Sequence, residues 1–276
     1  MTSAMHAQPA EGWQLEDNAA EAYERYLVPA IMTGWADQLL DLAALQPGER
    51  ILDVGCGTGI VARRAAARAG AGGRVVGIDL NEGMLAVARR ASSSRPGVEW
   101  RQGNATALPL PDGAFDAVFC QQMLQFVSDP PAALREMRRV LAPGGRAIVG
   151  VCRPVEHAPA YVALADALKR HAGPEAEAMM RSPFPSWSVD DVRALLGAAG
   201  FARVRVRIEV GAVRYPSPLE FLRREAASSP LAGPIGALDA GARAALVQEL
   251  GAALSHRADD DGLALHIETY AAIGYR

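Results

Sequence analysis

The sequence contains no apolar run of the roughly 18 residues that a membrane-spanning helix needs. Residues 1–12 hold no basic stretch followed by an apolar core, so no signal peptide is expected there. A strong excess of one charge is missing too. With 28 Lys and Arg against 31 Asp and Glu, the net charge is −3 and the isoelectric point about 6.0. No global basic field is available to recruit nucleic acid or an anionic membrane, so a small, weakly charged partner suits the chain better than a polyanion. Cysteine is scarce and odd in number: Cys56, Cys120 and Cys152 each sit in an apolar, strand-like setting. They read as reduced thiols of a cytoplasmic protein. No pair has metal-ligand spacing, so no metal site is expected. There is no internal repeat, and no low-complexity stretch beyond richness in alanine.

What the chain does have is length and alternation. Its 276 residues, half of them hydrophobic and 21% charged, suffice for one large α/β domain or a core with a small cap. Residues 1–17 read as a flexible leader. From Asn18 to Leu45 apolar residues recur at helical spacing, with Pro29 expected to kink or divide the helix and Pro47-Gly48 to end it. Strands are then predicted at Arg50–Val54, Arg74–Ile78, Val98–Arg101, Phe115–Phe119 and Ala147–Val151. Helices are predicted between them at Thr58–Ala69, from an Asn81 cap to about Ser92, and at Pro130–Leu141. Such alternation implies a parallel sheet with right-handed crossovers.

Farther on, a helix is expected near Ala160–His171, and Ser188 with Asp191 forms a capping box for a helix to Ala199. Arg203–Val210 alternates strictly, with Val204, Val206, Ile208 and Val210 on one face, as in a half-exposed strand. Helices near Leu219–Ala227 and Asp239–Ser255 and a strand near Leu263–Tyr270 complete the chain. The stretch of about 50 residues before that strand is too long for a hairpin turn. It must fold over something, and in doubly wound sheets the crevice lies beyond the carboxyl ends of the strands.

The strongest chemical signal is Ile51-Leu52-Asp53-Val54-Gly55-Cys56-Gly57-Thr58-Gly59. A strand ends, three glycines at alternate positions turn the chain, and a helix begins. Glycine permits positive φ and lets a ligand approach the backbone, while helix-start amides point at whatever fills the loop. Asp53, two positions before the first glycine, would repel a pyrophosphate. It can order the loop and receive the ammonium of an amino-acid moiety. Asp79, closing the second strand, can accept both hydroxyls of a ribose.

These pieces resemble the S-adenosylmethionine (SAM)-dependent methyltransferases of class I, the ubiquinone/menaquinone-biosynthesis (type 11) family. Further matches are Gly77-Ile78-Asp79, Gly103-Asn104-Ala105 before Leu108-Pro109, Phe115-Asp116-Ala117-Val118 and Leu141-Ala142-Pro143-Gly144-Gly145-Arg146. They follow the family's order and cover about residues 48–152. The resemblance implies a Rossmann-like seven-stranded mixed sheet, last strand antiparallel, with helices on both faces and a helical cap. Residues 48–152 would be the cofactor core of a single domain over 18–276. Residues 18–45 would be a lid, and 153–190 and 211–262 cap insertions around the acceptor.

The cofactor implied is SAM. Gly55, Gly57 and Gly59 would line its methionine part, Asp79 would hold the ribose, and Leu80 would lie against the adenine. Asn104 stands where the family has Asp and could accept from the adenine amino group, with the Ala105 backbone nearby. Gln121 would face the methyl group, Tyr26 would close over from the lid, and Cys56 and Met84 would complete the set with Asp53. For the acceptor, a small organic molecule, the candidates are Gln122, Gln125, Arg153, Phe184, Trp187 and Tyr215. His157 is the candidate general base, and His266 reads as a packed strand residue. The expected reaction is methyl transfer giving S-adenosylhomocysteine (SAH). The alternative is a SAM-binding biosynthetic enzyme with a non-methylating activity, a cyclase, decarboxylase or hydroxylase. An NAD-dependent oxidoreductase is opposed by Asp53 and the G-x-G-x-G spacing. A nucleic-acid methyltransferase is opposed by net charge and by Cys120-Gln121-Gln122-Met123 after the fourth strand. Monomer and homodimer both remain open.

Overall fold

The computed structural model of the protein describes residues 17–93 and 97–276. The leader expected over 1–17 lies outside the described residues, except for Asp17. Short apolar runs rich in Val and Ile form β1 Arg50–Val54, β2 Arg74–Asp79, β3 Val98–Gln102, β4 Phe115–Gln121, β5 Leu141–Cys152, β6 Ala202–Tyr215, β7 Ala258–Asp259 and β8 Gly262–Tyr275. Their order across the sheet is β3-β2-β1-β4-β5-β8-β6, with β7 pairing β8 off this path. The first five strands are parallel, and β8 runs antiparallel to both β5 and β6. The seven-stranded mixed sheet with its last strand antiparallel is borne out, with the two-residue β7 added as a hairpin arm.

Helices are α1 Asp17–Ala22, α2 Thr33–Ala43, α3 Ile60–Ala69, α4 Glu82–Ala91, α5 Pro130–Val140, α6 Pro159–Ala172, α7 Pro174–Arg181, α8 Val189–Ala198, α9 Pro218–Ala227, α10 Ala232–Gly236 and α11 Ala240–Leu254. Successive strand residues serve opposite faces, because side chains alternate across a pleated strand. Ile51, Val75, Phe119 and Ile148 pack under α2 and α3, while Leu52, Val76, Val118 and Val149 pack with α5 and α8. A third apolar cluster joins Leu27, Ile31 and Trp35 to α6, α7, α9 and α11 and to the outer parts of β6 and β8.

The helix starts follow local chemistry. The Asn81 side chain accepts from the amides of Gly83 and Met84, and Ser188 and Asp191 form the full capping box. Three readings need correction. Pro29 does not divide the first helical region; Tyr23–Met32 is a π-helix that runs without interruption between α1 and α2. Proline lacks an N–H and crowds the carbonyl four residues back, and the wider register carries the helix past it. At its end the Thr33 amide and hydroxyl both donate to the Val28 carbonyl, five residues back. The helix α7 was missing from the sequence reading; Gly173 at φ +93° and Pro174 restart the chain directly after α6. Finally, Val204 and Val206 pack inward, but Ile208 and Val210 are 46% and 58% exposed. As the edge strand, β6 continues beyond that packing.

Candidate functional site

The glycine loop joins β1 to α3, and positive φ at Gly55 (+66°), Gly57 (+54°) and Gly59 (+87°) shows why glycine is used there. The amides of Gly55 and Cys56 donate to the Ile78 carbonyl, which fastens the loop to β2. The Gly57 amide donates to Asp79 Oδ2 at 2.7 Å, and the Asn81 amide to Asp79 Oδ1 at 2.9 Å. Asp79 thus ties the glycine loop to the start of α4. Burial raises the Asp79 carboxyl above its ordinary range even though backbone amides oppose the shift.

Asp53 is buried at the end of β1, with Oδ2 accepting from the Ala62 amide in the first turn of α3 at 3.0 Å. Burial pushes its carboxyl up to about 7, the Ala62 hydrogen bond opposing and the Asp79 charge adding. A carboxyl raised above its unfolded value favours the folded state below the unfolded pKa. That contribution is lost as pH rises through about 7. Asp53→Asn keeps an acceptor for the Ala62 amide and removes the charge. In thermal unfolding its melting temperature should exceed that of the wild type at pH 8 and match it at pH 4, and a wild-type advantage at pH 8 would contradict this account.

A cavity of about 560 Å³ opens at the carboxyl ends of β1, β2, β4 and β5. Its first half is lined by Asp53, Gly55, Cys56, Gly57, Asp79, Leu80, Met84, Asn104, Ala105 and Gln121, all anticipated as cofactor residues. No atom lies nearer than 4.0 Å to a Cβ placed on Gly57, and that neighbour is the Tyr23 ring. The loop is therefore an open cradle. Asn104 differs in detail: its Oδ1 accepts from the Thr106 amide and hydroxyl, leaving Nδ2 to meet a ligand. Gly59 does not line the cavity. A Cβ there would stand 2.1 Å from Trp100 Cη2, so this glycine serves the packing of α3 against β3.

The second half of the cavity contains Gln122, Gln125 and Phe184 of the acceptor candidates. Gln122 has φ +54°, unusual outside glycine. Its amide donates to Gly150 O, its Nε2 to Thr269 Oγ1, and its Oε1 accepts from Gln125 Nε2. The Oε1 atoms of Gln121 and Gln125 and Nε1 of Trp35 are buried without a partner among the described residues, and all three residues line the cavity.

Five sequence candidates lie elsewhere. Tyr26 sits beneath the Arg224 guanidinium, 5.6 Å from the ring centre, in a separate cleft beside α9. Tyr23 takes its place in the cavity, because the wider turn of the π-helix separates residues three apart that would share a face in an α-helix. His157 is exposed on a short 3-10 turn, 3.1 Å from an Arg153 nitrogen, and is not positioned to act as base. Arg153 is paired with Glu268 and lies over Tyr270, away from the cavity. Trp187 packs on the core between the sheet and α8. Tyr215 is fully buried and its hydroxyl donates to Glu225, so it reaches the cavity only through that residue. His266 lies in β8 with an Arg257 nitrogen 3.4 Å away.

The residues that sequence reasoning missed are Trp35, Tyr161, Met180, Glu225 and Ile267, with Tyr23. A signal existed for Glu225 alone. It follows Phe221 by four positions and Leu222 by three, which puts an acid on the buried stripe of α9.

The helices closing the cavity are tied to the core by ion pairs: Arg63 to Glu24, Arg64 to Asp37 and Arg90 to Glu21. These pairs add to the apolar packing of Leu27, Ile31 and Trp35, and the most exposed of them, Arg90 to Glu21, contributes only about 0–1 kcal/mol.

Residues 52–149 match the family profile described as a methyltransferase domain. A 2-phytyl-1,4-naphtoquinone methyltransferase of Thermosynechococcus vestitus is 44% identical over 115 residues, 42% of this chain and 51% of that protein. The chain spans about half the length of the curated relatives it matches, from 32% to 56%. Among solved structures, phosphoethanolamine N-methyltransferase 2 of Haemonchus contortus, in complex with SAH, aligns with a TM-score of 0.60 at 21% identity, over 95% of this chain and 58% of that one. The [4+2]-cyclase SpnF aligns at 0.52 and 24% identity, over 88% and 80%. At such identities the likeness shows the fold alone, and SpnF shows that this fold hosts more than one reaction. Among the described residues no helix is long and apolar enough to cross a membrane. Residues 52–149 thus carry the match to a methyltransferase domain, within a fold shared with solved methyltransferases.

Proposed function

We propose that the protein transfers the methyl group of SAM to a small organic acceptor, releasing SAH. One observation carries this: a single cavity runs from the open glycine cradle and Asp79 into an apolar chamber under α6, α7 and α9. SAM bound there would supply an electrophilic methyl group on a sulfonium. Asp79 would hold the ribose hydroxyls, Leu80 and Met84 would cover the adenine, and Asp53 and the loop amides would order the amino-acid end. Gln121, held by Nε2 donation to Met32 O at 3.1 Å, lines the cavity at the end of β4, where the methyl group would be presented. Displacement at a methyl carbon needs alignment above all, and a chamber continuous with the cofactor cradle provides it.

In this reading residues 18–45 are the lid, 48–152 the cofactor core, and 153–190 and 211–262 the acceptor cap. The acceptor is a small molecule and not nucleic acid, and the protein works in the cytoplasm. The naphtoquinone enzyme among the relatives supports an apolar, ring-bearing acceptor. The decisive test is incubation with methyl-labelled SAM and a panel of metabolites. Label in a product together with SAH supports transfer. Acceptor consumption with the label still in SAM would instead assign a cyclase, decarboxylase or hydroxylase.

A further inference from the structure

The acceptor half of the cavity has a one-sided polar inventory. Its apolar wall includes Leu27, Ile31, Met180, Phe184, Leu231 and Ile267. Among the described lining residues there is no Lys, Arg or His. The lining of this half includes instead one carboxylate, Glu225, and the side-chain amides of Gln121 and Gln125. Nε1 of Trp35 is the one unpartnered buried donor among these lining side chains. A site so supplied repels an anion and asks for a ligand that donates hydrogen bonds.

Glu225 is not a stray acid. It is 6% exposed on α9, and its Oε1 accepts from Tyr161 OH at 3.0 Å and from Tyr215 OH at 2.8 Å. Tyr161 comes from α6 and Tyr215 from β6, so two elements far apart in sequence fix one carboxylate oxygen. Its Oε2 has no hydrogen-bond partner among the described residues, in a residue that lines the cavity. A buried, oriented carboxyl with one open oxygen suits a general base.

We propose that Glu225 is the catalytic base of this enzyme and that its acceptor is a neutral, largely apolar molecule bearing an ionisable hydroxyl. The proposal rests on the reading of the cavity as a methyl-acceptor chamber. The hydroxyl proton passes to Glu225 as an electron pair on the acceptor oxygen forms the bond to the methyl carbon. The carbon–sulfur bond breaks and its pair stays on sulfur, which changes from sulfonium cation to neutral thioether. Glu225, now a carboxylic acid, returns the proton to water. Burial pushes the Glu225 carboxyl up to about 7, while the Tyr215 and Tyr161 hydroxyls oppose that shift by donating to the carboxylate. The groups facing it are those two tyrosines and Cys152 at the end of β5, with the Arg224 guanidinium of its own helix over the Tyr215 ring.

The test uses the full chain loaded with SAH and two probes on the same ring, 2-naphthol and 2-naphthoate, titrated by calorimetry on both sides of neutral pH. The wild type should bind 2-naphthol at least about tenfold tighter than 2-naphthoate, since a carboxylate attracts a hydroxyl donor and repels an anion. The affinity for 2-naphthol should rise as pH passes through about 7. E225Q should lose that rise, and Y161F should move it to higher pH, because one donor to the carboxylate is gone. A protein that binds no SAH would overturn the methyltransferase reading itself. SAH binding with no 2-naphthol binding, with equal affinity for the two probes, or with an unchanged pH profile in E225Q, would overturn the role of Glu225 alone.

Discussion

Gly57→Val should weaken SAH binding by at least about a hundredfold. Two effects combine. Gly57 lies at φ +54°, where an L-residue costs roughly 1–2 kcal/mol and a β-branched one resists most. Its Cβ direction is also open, so the valine methyl groups would fill the cradle rather than strike the protein. The fold should survive for the same reason, with near-native circular dichroism and a lowered but cooperative melting transition. Calorimetric titration with SAH reads the outcome. A valine variant that bound SAH like the wild type would place the cofactor elsewhere. Gly59→Val is the instructive contrast, since there the added carbons meet the Trp100 ring and the loss should fall on stability.

Asp79→Ala should weaken SAH by at least about tenfold. Hydrogen bonds to a charged acceptor contribute about 1.5–3 kcal/mol, and a ribose offers two hydroxyls to one carboxylate. In the structure Asp79 already accepts from Gly57 and Asn81, so the alanine variant also loosens the glycine loop. Asp79→Asn separates these roles: it keeps an acceptor oxygen for a backbone amide and loses the charge. The asparagine variant should fall between wild type and alanine in SAH affinity, with a melting temperature close to wild type. Equal affinities for all three proteins would remove Asp79 from the site.

The cofactor side was legible in the sequence because its chemistry is local. Asp53, the glycines and the Asn81 cap are read from neighbours within a few residues, and β1 and β2 bring Asp53 and Asp79 together by simple parallel pairing. The sheet was legible for a related reason, since Ile51/Leu52 and Val75/Val76 alternate between faces that helices cover. The acceptor side depends on packing between distant segments, and there the reading failed. His157 follows β5 on the expected side, yet a 3-10 turn leaves it in solvent beside Arg153. Tyr23 and Tyr26 share one helix, and only the π register and the docking of α9 decide which of them enters the cavity. Glu225 meets Tyr161 across 64 positions, a separation that no motif spans. The acid on the apolar stripe of α9 was the one visible clue.

The central claim is that SAM occupies the cradle with its methyl group directed into the chamber that holds Glu225. A crystal structure of the chain with SAH tests it most directly. The account predicts the ribose hydroxyls within hydrogen-bond distance of the Asp79 carboxylate, the amino-acid end along Gly55–Gly57, and the sulfur facing Gln121 and the space bounded by Tyr161, Phe184 and Glu225. SAH found outside the cradle, or bound with its sulfur turned away from that chamber, would contradict it.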